Sequence, residues 1–368
     1  MRCVSTECAR CATFRVGALV AILISFSAVT WRSAEAQSTI PLPKVRLIAT
    51  GGTISNRVGG RLTAGELAAS VPGLNRWVIV ETEQFSNVPS SELTLAQWLR
   101  LSRRINELFR ADRNLSGVVV TMGTDTLEEL AYFLHLTVRD ERPVVVVGSM
   151  RNPSTVGYEG PANLLAGFRV AADTASRGLG TLVVLNDEVN SAREVTKTDA
   201  LRLETFQSRA VGLLGVVDAD RVVYYRRPVR RHSSQSEFDL ARVDELPRVD
   251  VLLAYQDAPG DLIKAAVDAG ARGIVIAAAG AGATSGTQRD GIAYATARRI
   301  PVVLSTRTGG GRIAAEPDLR GNSAPSEGSA RSPVSGEDLS PVKARVLLML
   351  ALSRSSDRGE IQRMFQEY

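Results

Sequence analysis

Strand-length runs of aliphatic residues recur along the chain: "KVRLIAT", "GVVVTMG", "PVVVVGSM" and "TLVVLND", then "VDVLLAY", "GIVIAAAG" and "PVVLSTR". Most show no polar alternation, so both faces of each strand must be covered, as in parallel sheets packed between helices. Helical spacing fills the intervals. Leu127, Leu130, Ala131 and Leu134 share one face of an amphipathic helix whose start carries Thr126 and Glu129 at capping-box spacing. Leu164, Leu165, Phe168, Ala171 and Ala172 form a second stripe behind Pro161, a residue suited to the first helical turn. The pattern predicts an α/β protein with a larger N-terminal domain, mostly parallel and sandwiched by helices, and a smaller C-terminal parallel α/β domain.

At 368 residues, 44% hydrophobic and 23% charged, the chain is long enough for two such cores, and its composition argues against disorder. Residues 1–36 read as an export signal: Arg2, Arg10 and Arg15 precede an apolar stretch from Val16 to Val29, followed by "SAEA" as a cleavage site. That stretch is too short for a membrane span. The expected mature chain starts near Gln37 and is periplasmic or secreted, with no membrane association after cleavage. The predicted domains are 37–228 and 249–368, joined by a polar linker at 229–248. The Gly/Ser/Pro-rich "GNSAPSEGSARSPVSGED" (321–338) is predicted to be a mobile surface loop ahead of the terminal helix "SPVKARVLLMLAL".

All three cysteines, Cys3, Cys8 and Cys11, lie in the signal, which leaves no thiol nucleophile, disulfide or cysteine metal site in the exported chain. The signal's Arg2, Arg10, Arg15 and Arg32 against Glu7 and Glu35 take two of the five net positive charges, leaving +3. That is too mild to argue for nucleic acid. The basic "YYRRPVRRH" (224–232) is read as a solvated linker in preference to an RNA or membrane contact.

In parallel α/β sheets, ligands bind at the carboxyl ends of strands. Three polar segments follow strands here. "TMGTDT" places Thr124 and Asp125 at that edge, although Thr and Asp at a helix start are also ordinary caps. "ATGGTIS" repeats the arrangement with paired glycines that allow close backbone approach. No Gly-Lys-Ser/Thr or GxGxxG accompanies it, so a hydroxyl nucleophile at Thr53 fits better than a phosphate loop. "NDEVNSAREVTKTDALRLETF" carries Lys197 between two threonines, either a base toward a hydroxyl or a solvated loop lysine.

"TGGTIS", "TMGTDTLEELAYFL", "VVVVGSMRNPSTVGYEGPANLL", "NDEVNSAREVTKTDALRLETFQS", "LSPVKARVLLMLAL" and "IQRMFQEY" together resemble the bacterial type II L-asparaginases over essentially the whole mature chain. The resemblance implies hydrolysis of L-asparagine to L-aspartate and ammonia by double displacement, with Thr53 as nucleophile and Thr124, Lys197 and Asp125 as its catalytic partners. It implies that Asp125 holds the substrate's α-amino group and Ser90 its α-carboxylate. Ser91, Gly52, Gly123 and Ser149 are the further substrate-binding positions that the resemblance implies. The resemblance calls for no metal or organic cofactor, and it implies a homotetramer built as a dimer of dimers with sites completed across the interface.

The chain departs from the family pattern at several positions. No tyrosine stands in "ISNRVGGRLTAGEL"; Arg57 falls where the family's lid tyrosine is expected, and Tyr158 is the nearest candidate substitute. Ser91 replaces an expected glutamine, and Ala281 in "AAGAGAT" replaces an expected asparagine. Glu316 is the candidate for the acidic residue donated by a neighbouring subunit. These losses of hydrogen-bonding groups leave glutamine or another amide as alternative substrates, and a non-catalytic exported amino-acid-binding protein as the alternative of a different class.

Overall fold

The computed structural model describes residues 41–315 and 332–368, and Leu42 onward forms one compact unit. The predicted export signal and Glu316 lie outside the described residues. The first lobe contains β1 (Lys44–Gly51), a short hairpin of β2 (Asn56–Arg57) and β3 (Gly60–Arg61), β4 (Ile79–Val88), β5 (Leu115–Thr121), β6 (Val144–Val147), β7 (Thr181–Leu185), β8 (Glu188–Ser191), β9 (Thr196–Lys197), β10 (Phe206–Gln207), β11 (Gly215–Val217) and β12 (Val222–Tyr224). Its helices are α1 (Ala64–Ala69), α2 (Leu95–Ala111), α3 (Leu127–Thr137) and α4 (Gly160–Ala172).

Eight of these strands form one sheet in the order β12-β11-β8-β7-β6-β5-β1-β4. From β7 through β4 every pair is parallel, while β8, β11 and β12 extend the sheet antiparallel. The change of direction is made by Asn186 and Asp187, both with positive φ, which turn β7 directly into β8. The polar stretch read as following the "TLVVLND" strand therefore begins as a hairpin, and only its later part forms the separate ribbon of β9 and β10.

The second lobe holds β13 (Val249–Leu253), α5 (Asp261–Asp268), β14 (Gly273–Ala278), α6 (Gln288–Ala297), β15 (Val302–Thr306), β16 (Val334–Ser335), α7 (Pro341–Leu352) and α8 (Arg358–Glu367). Its four strands run in sequence order and all pairs are parallel. The predicted class, a larger mostly parallel domain plus a smaller parallel one, is the observed one. The last part of the predicted loop at 321–338 is structure instead: Val334, Ser335 and Glu337 are buried, and the guanidinium of Arg193 donates to Asp338 at 2.7 Å.

The two lobes share a core. One cluster joins Val118, Leu130 and Phe133 of the first lobe to Val275, Val303 and Leu347 of the second. The helix expected to be amphipathic, α3, is consequently buried on nearly all sides, including Tyr132, Phe133, His135 and Leu136. Its expected capping box does not form. Thr126 occupies the N-cap, but its hydroxyl makes no side-chain cap bond, and Glu129 faces Arg345 of α7 at 3.6 Å. The pull of α7 across the shared core outcompetes the local motif. Capping boxes form elsewhere, at Thr63 with Glu66 and at Thr94 with Gln97.

The basic stretch at 224–232 is also not simply solvated. Tyr224 shares a 2.6 Å hydrogen bond with Ser176, Arg226 pairs with Glu194 and Arg231 with Glu367, each at 2.5 Å. Beyond it Phe238, Leu240 and Leu246 enter the shared core, with Phe238 stacked near Tyr368. Local composition signals polarity; partners remote in sequence, Ser176 and Glu194 in the first lobe and Glu367 in the last helix, tie the stretch down.

Within this packing, His135 and His232 lie buried with ring centroids 4.8 Å apart. His135 Nδ1 accepts from the Thr181 amide at 3.1 Å, so that nitrogen is held unprotonated. Gly180 sits against both rings, and a Cβ there would approach His135 within 2.5 Å. Burial pushes His232 down to about 4 and His135 well below the usual range, with His232 and Arg193 adding to the effect on His135. Both folded values lie below that of an unfolded histidine, about 6.5. Unfolding therefore takes up protons as pH falls below that value, and stability present above it is lost on the way down to about 4. Denaturant unfolding at pH 7, 6 and 5 should show up to about 1.4 kcal/mol lost per pH unit for each imidazole, and His232→Leu should shrink that dependence.

Candidate active site

The strand order places a topological switch at β1, since the chain leaves β1 for β4 on one side and then returns to β5 on the other. A crevice opens at the carboxyl ends at such a point. Thr53 follows β1, Ser90 follows β4, and Thr124 and Asp125 follow β5.

Glycines draw these turns together. Gly51 and Gly52 have φ of 111° and 88°, and the Gly52 amide donates to the Val88 carbonyl at 3.0 Å. A Cβ on Gly52 would sit 2.3 Å from Gly123 Cα, and one on Gly123 would sit 2.9 Å from Ser90 Oγ. Only hydrogen at both positions lets the first turn, the second turn and Ser90 meet. Past the glycines, Thr53 opens a 3-10 turn to Ser55. The Ser55 hydroxyl lies 3.1 Å from the Gly52 carbonyl and 3.3 Å from Asn87 Oδ1.

The second turn carries the charged set. Lys197 Nζ donates to Thr124 Oγ1 at 3.0 Å and to Asp125 Oδ1 at 2.7 Å. Thr124 is buried, whereas the Asp125 side chain is 77% exposed and that of Lys197 only 16%. The carboxylate therefore faces the open side, where a shallow surface depression of about 390 Å³ is lined by Asp125, Glu128, Lys197, Thr198, Asp199 and Ala200. An ammonium 3.0 Å from Thr124 Oγ1 is placed where it can stabilise negative charge on that oxygen. This is chemistry a solvated loop lysine could not perform.

Tyr158 joins this region through its hydroxyl, which donates to the Ile54 carbonyl at 2.7 Å, one residue beyond Thr53. Its ring covers Gly160 at the start of α4. Burial raises the phenol above its ordinary range, so it remains a hydrogen-bond donor. Arg57 is directed elsewhere: it pairs at 3.2 Å with Glu66, and both side chains are nearly half exposed. Ser149 is buried and donates to the Arg151 carbonyl at 2.6 Å, so its hydroxyl shapes the third turn. Ser91 is exposed beside the buried Ser90, and Ala281 is exposed in the turn after β14. Among the described residues no group of three or more His, Cys, Asp or Glu is arranged to hold a metal ion.

The N-terminal asparaginase family model matches residues 44–230, and the glutaminase/asparaginase C-terminal domain model matches residues 248–365. The chain belongs to the asparaginase family. It is 40% identical to "L-asparaginase 2" of Bacillus subtilis over 91% of this chain and 89% of that protein. It is 36% identical to "L-asparaginase 2" of Escherichia coli, over 96% and 99%, and 34% identical to a Pseudomonas fluorescens "Glutaminase-asparaginase", over 97% and 98%. A solved structure described as a probable cytoplasmic L-asparaginase from Campylobacter jejuni matches with a TM-score of 0.82 and 35% identity, covering 88% of this chain and 99% of that one.

Within this asparaginase frame, Thr124, Asp125 and Lys197 are in direct contact, and Gly52, Gly123 and Ser90 meet at the switch point. Arg57 and Ser149 spend their polar groups on neighbouring structure. Sequence reasoning passed over Glu128, which accepts from Thr196 Oγ1 at 2.9 Å and from the Lys197 amide at 3.2 Å. Its position three residues after Asp125 was the available signal.

Gly52→Ala should be severe, because a methyl group there meets backbone atoms and the positive φ is strained as well. The expected result is loss of most activity with a destabilisation of roughly 1–3 kcal/mol, read by ammonia release and denaturant unfolding of the same sample.

Proposed function

We propose that this chain hydrolyses L-asparagine to L-aspartate and ammonia, with Thr53 as the nucleophile. The observation that carries the reading is the Lys197 ammonium bridging Thr124 and Asp125 beside the glycine contact that brings the Thr53 turn to the same edge. Thr53 Oγ1 attacks the side-chain amide carbon, the C–N bond breaks, and the departing nitrogen takes up a proton to leave as ammonia. Water then cleaves the ester on Thr53. Thr124, backed by Lys197, relays protons in both halves, a contribution of roughly 10² to 10⁴ in rate. Backbone amides of the two glycine turns are the donors available to the oxyanion.

Asp125, open toward this depression, is the partner for the substrate's α-ammonium group, and Ser90 for its α-carboxylate. Tyr158 supports the nucleophile's turn through Ile54. The exposed Ser91 and Ala281 offer less polar recognition than the glutamine and asparagine of the family pattern. This supports a second reading in which glutamine is also accepted, as the name of the Pseudomonas fluorescens relative suggests. We further propose export to the periplasm, in keeping with a Haemophilus influenzae relative named "Probable L-asparaginase periplasmic", and assembly as a homotetramer.

Ammonia release from L-asparagine and L-glutamine should fall to background in Thr53→Ala with the fold retained. Lys197→Met should lower kcat by at least tenfold with a smaller change in KM. A Thr53→Ala protein that keeps near wild-type turnover would remove the threonine from its role.

A further inference from the structure

Lys197 lies outside the main sheet, in a two-residue strand paired, among the described residues, with β10 alone. A catalytic lysine on so small a ribbon needs other restraints. Three converge on it: one from α3, one from α7, and the anchoring of the preceding Arg193 to the second lobe.

The first is Glu128, in the opening turn of α3, the helix that follows Thr124 and Asp125. One oxygen of its carboxylate takes both the Thr196 hydroxyl at 2.9 Å and the Lys197 amide at 3.2 Å, which fixes the backbone of the lysine to the turn its side chain serves. The second is Lys343 of α7, fully enclosed. Its ammonium donates to the carbonyls of Arg193, at 3.0 Å, and Val195, and stands 3.8 Å from the other oxygen of Glu128. The third is Arg193, whose guanidinium donates to the C-terminal Tyr368 carbonyl at 2.9 Å and to Asp338 at 2.7 Å.

Lys343 has no solvent to fall back on. Burial pushes it down to about 8 while Glu128 pulls it up, so the enclosed ammonium persists at neutral pH through Glu128 and the two carbonyls. A buried ammonium placed on two consecutive stretches of backbone is a costly device for simple packing. Its cost is explained if it sets the position of the strand it grips.

We propose that Glu128 and Lys343 are positioning residues that hold Lys197 against Thr124, so that the second lobe sets the geometry of the catalytic edge in the first. The proposal rests on the functional reading above, which gives Lys197 its role in proton transfer. Neither residue touches substrate in this account; each acts through the backbone of residues 193–197.

The test compares Glu128→Ala, Glu128→Gln and Lys343→Met in the full chain. Glu128→Ala should lower kcat for L-asparagine by roughly ten- to a hundredfold with KM changed less than about threefold, the signature of a displaced catalytic group. Glu128→Gln keeps an acceptor for Thr196 and the Lys197 amide while giving up the charge beside Lys343, and should recover most of the kcat lost in Glu128→Ala. Lys343→Met should follow Glu128→Ala. Independently of turnover, amide hydrogen exchange should speed up in the peptide spanning 193–198 of Glu128→Ala and stay slow in Glu128→Gln.

Wild-type kcat and wild-type protection of that peptide in Glu128→Ala would overturn the proposal. So would equal losses in Glu128→Ala and Glu128→Gln, since a merely structural role would not separate them. If Lys343→Met does not fold, the pair of Glu128 variants decides. A wild-type chain that releases no ammonia contradicts the functional reading instead, and the exchange comparison then still tests the restraint on 193–198.

Discussion

The contact between Gly52 and Gly123 is the constraint on which the rest of the site depends. Two turns from neighbouring strands approach so closely that a single methyl group on Gly52 would lie within 2.3 Å of the Gly123 backbone. Every polar group of interest is placed relative to that contact. Thr53 is the next residue after one glycine, Thr124 the next after the other, and Ser90 packs against Gly123 from the turn after β4. The strand order makes the meeting geometrically available, because β1 lies between β4 and β5. The glycines make it sterically allowed.

A second layer of organisation comes from the shared core. Because α3 is enclosed between the first sheet and α7, residues of the second lobe reach the back of the catalytic edge. Arg345 takes Glu129, Lys343 stands by Glu128, and Arg193 is held by Asp338 and the chain terminus. The front of the edge stays open, with Asp125 exposed. Rigidity behind and access in front is the arrangement that a preorganised hydrolytic site requires.

How far the chain could be read from its sequence follows from the range of each interaction. Valine-rich strands such as "GVVVT" and the two glycine turns are short-range signals, and they identified the α/β class and the residues at the strand ends. Lys197 stands out locally as a lysine between two threonines, but only the resemblance to known enzymes favours a catalytic role for it over a loop lysine. The failures were of another kind. The capping box at Thr126 and Glu129 was a correct local pattern overridden by Arg345, more than two hundred residues away in the chain. The polar stretch at 224–232 was read as solvated because its partners, Glu194 and Glu367, are remote in sequence. The spacing of Glu128 from Asp125 marks it only as a neighbour on the first turn of α3; its hydrogen bond to the backbone of Lys197, 69 residues on, is a tertiary contact.

In the proposed reaction Thr53 forms a covalent ester with the substrate's side-chain acyl group. The most direct measurement is acid-quenched mass spectrometry of the chain during turnover of L-asparagine, followed by proteolysis to locate any adduct. An added aspartyl group is expected on the peptide containing "LIATGGTISNR", at Thr53, and is expected to be absent from Thr53→Ala. An adduct on Thr124 or on another residue would contradict it. So would sustained ammonia release in the Thr53→Ala chain.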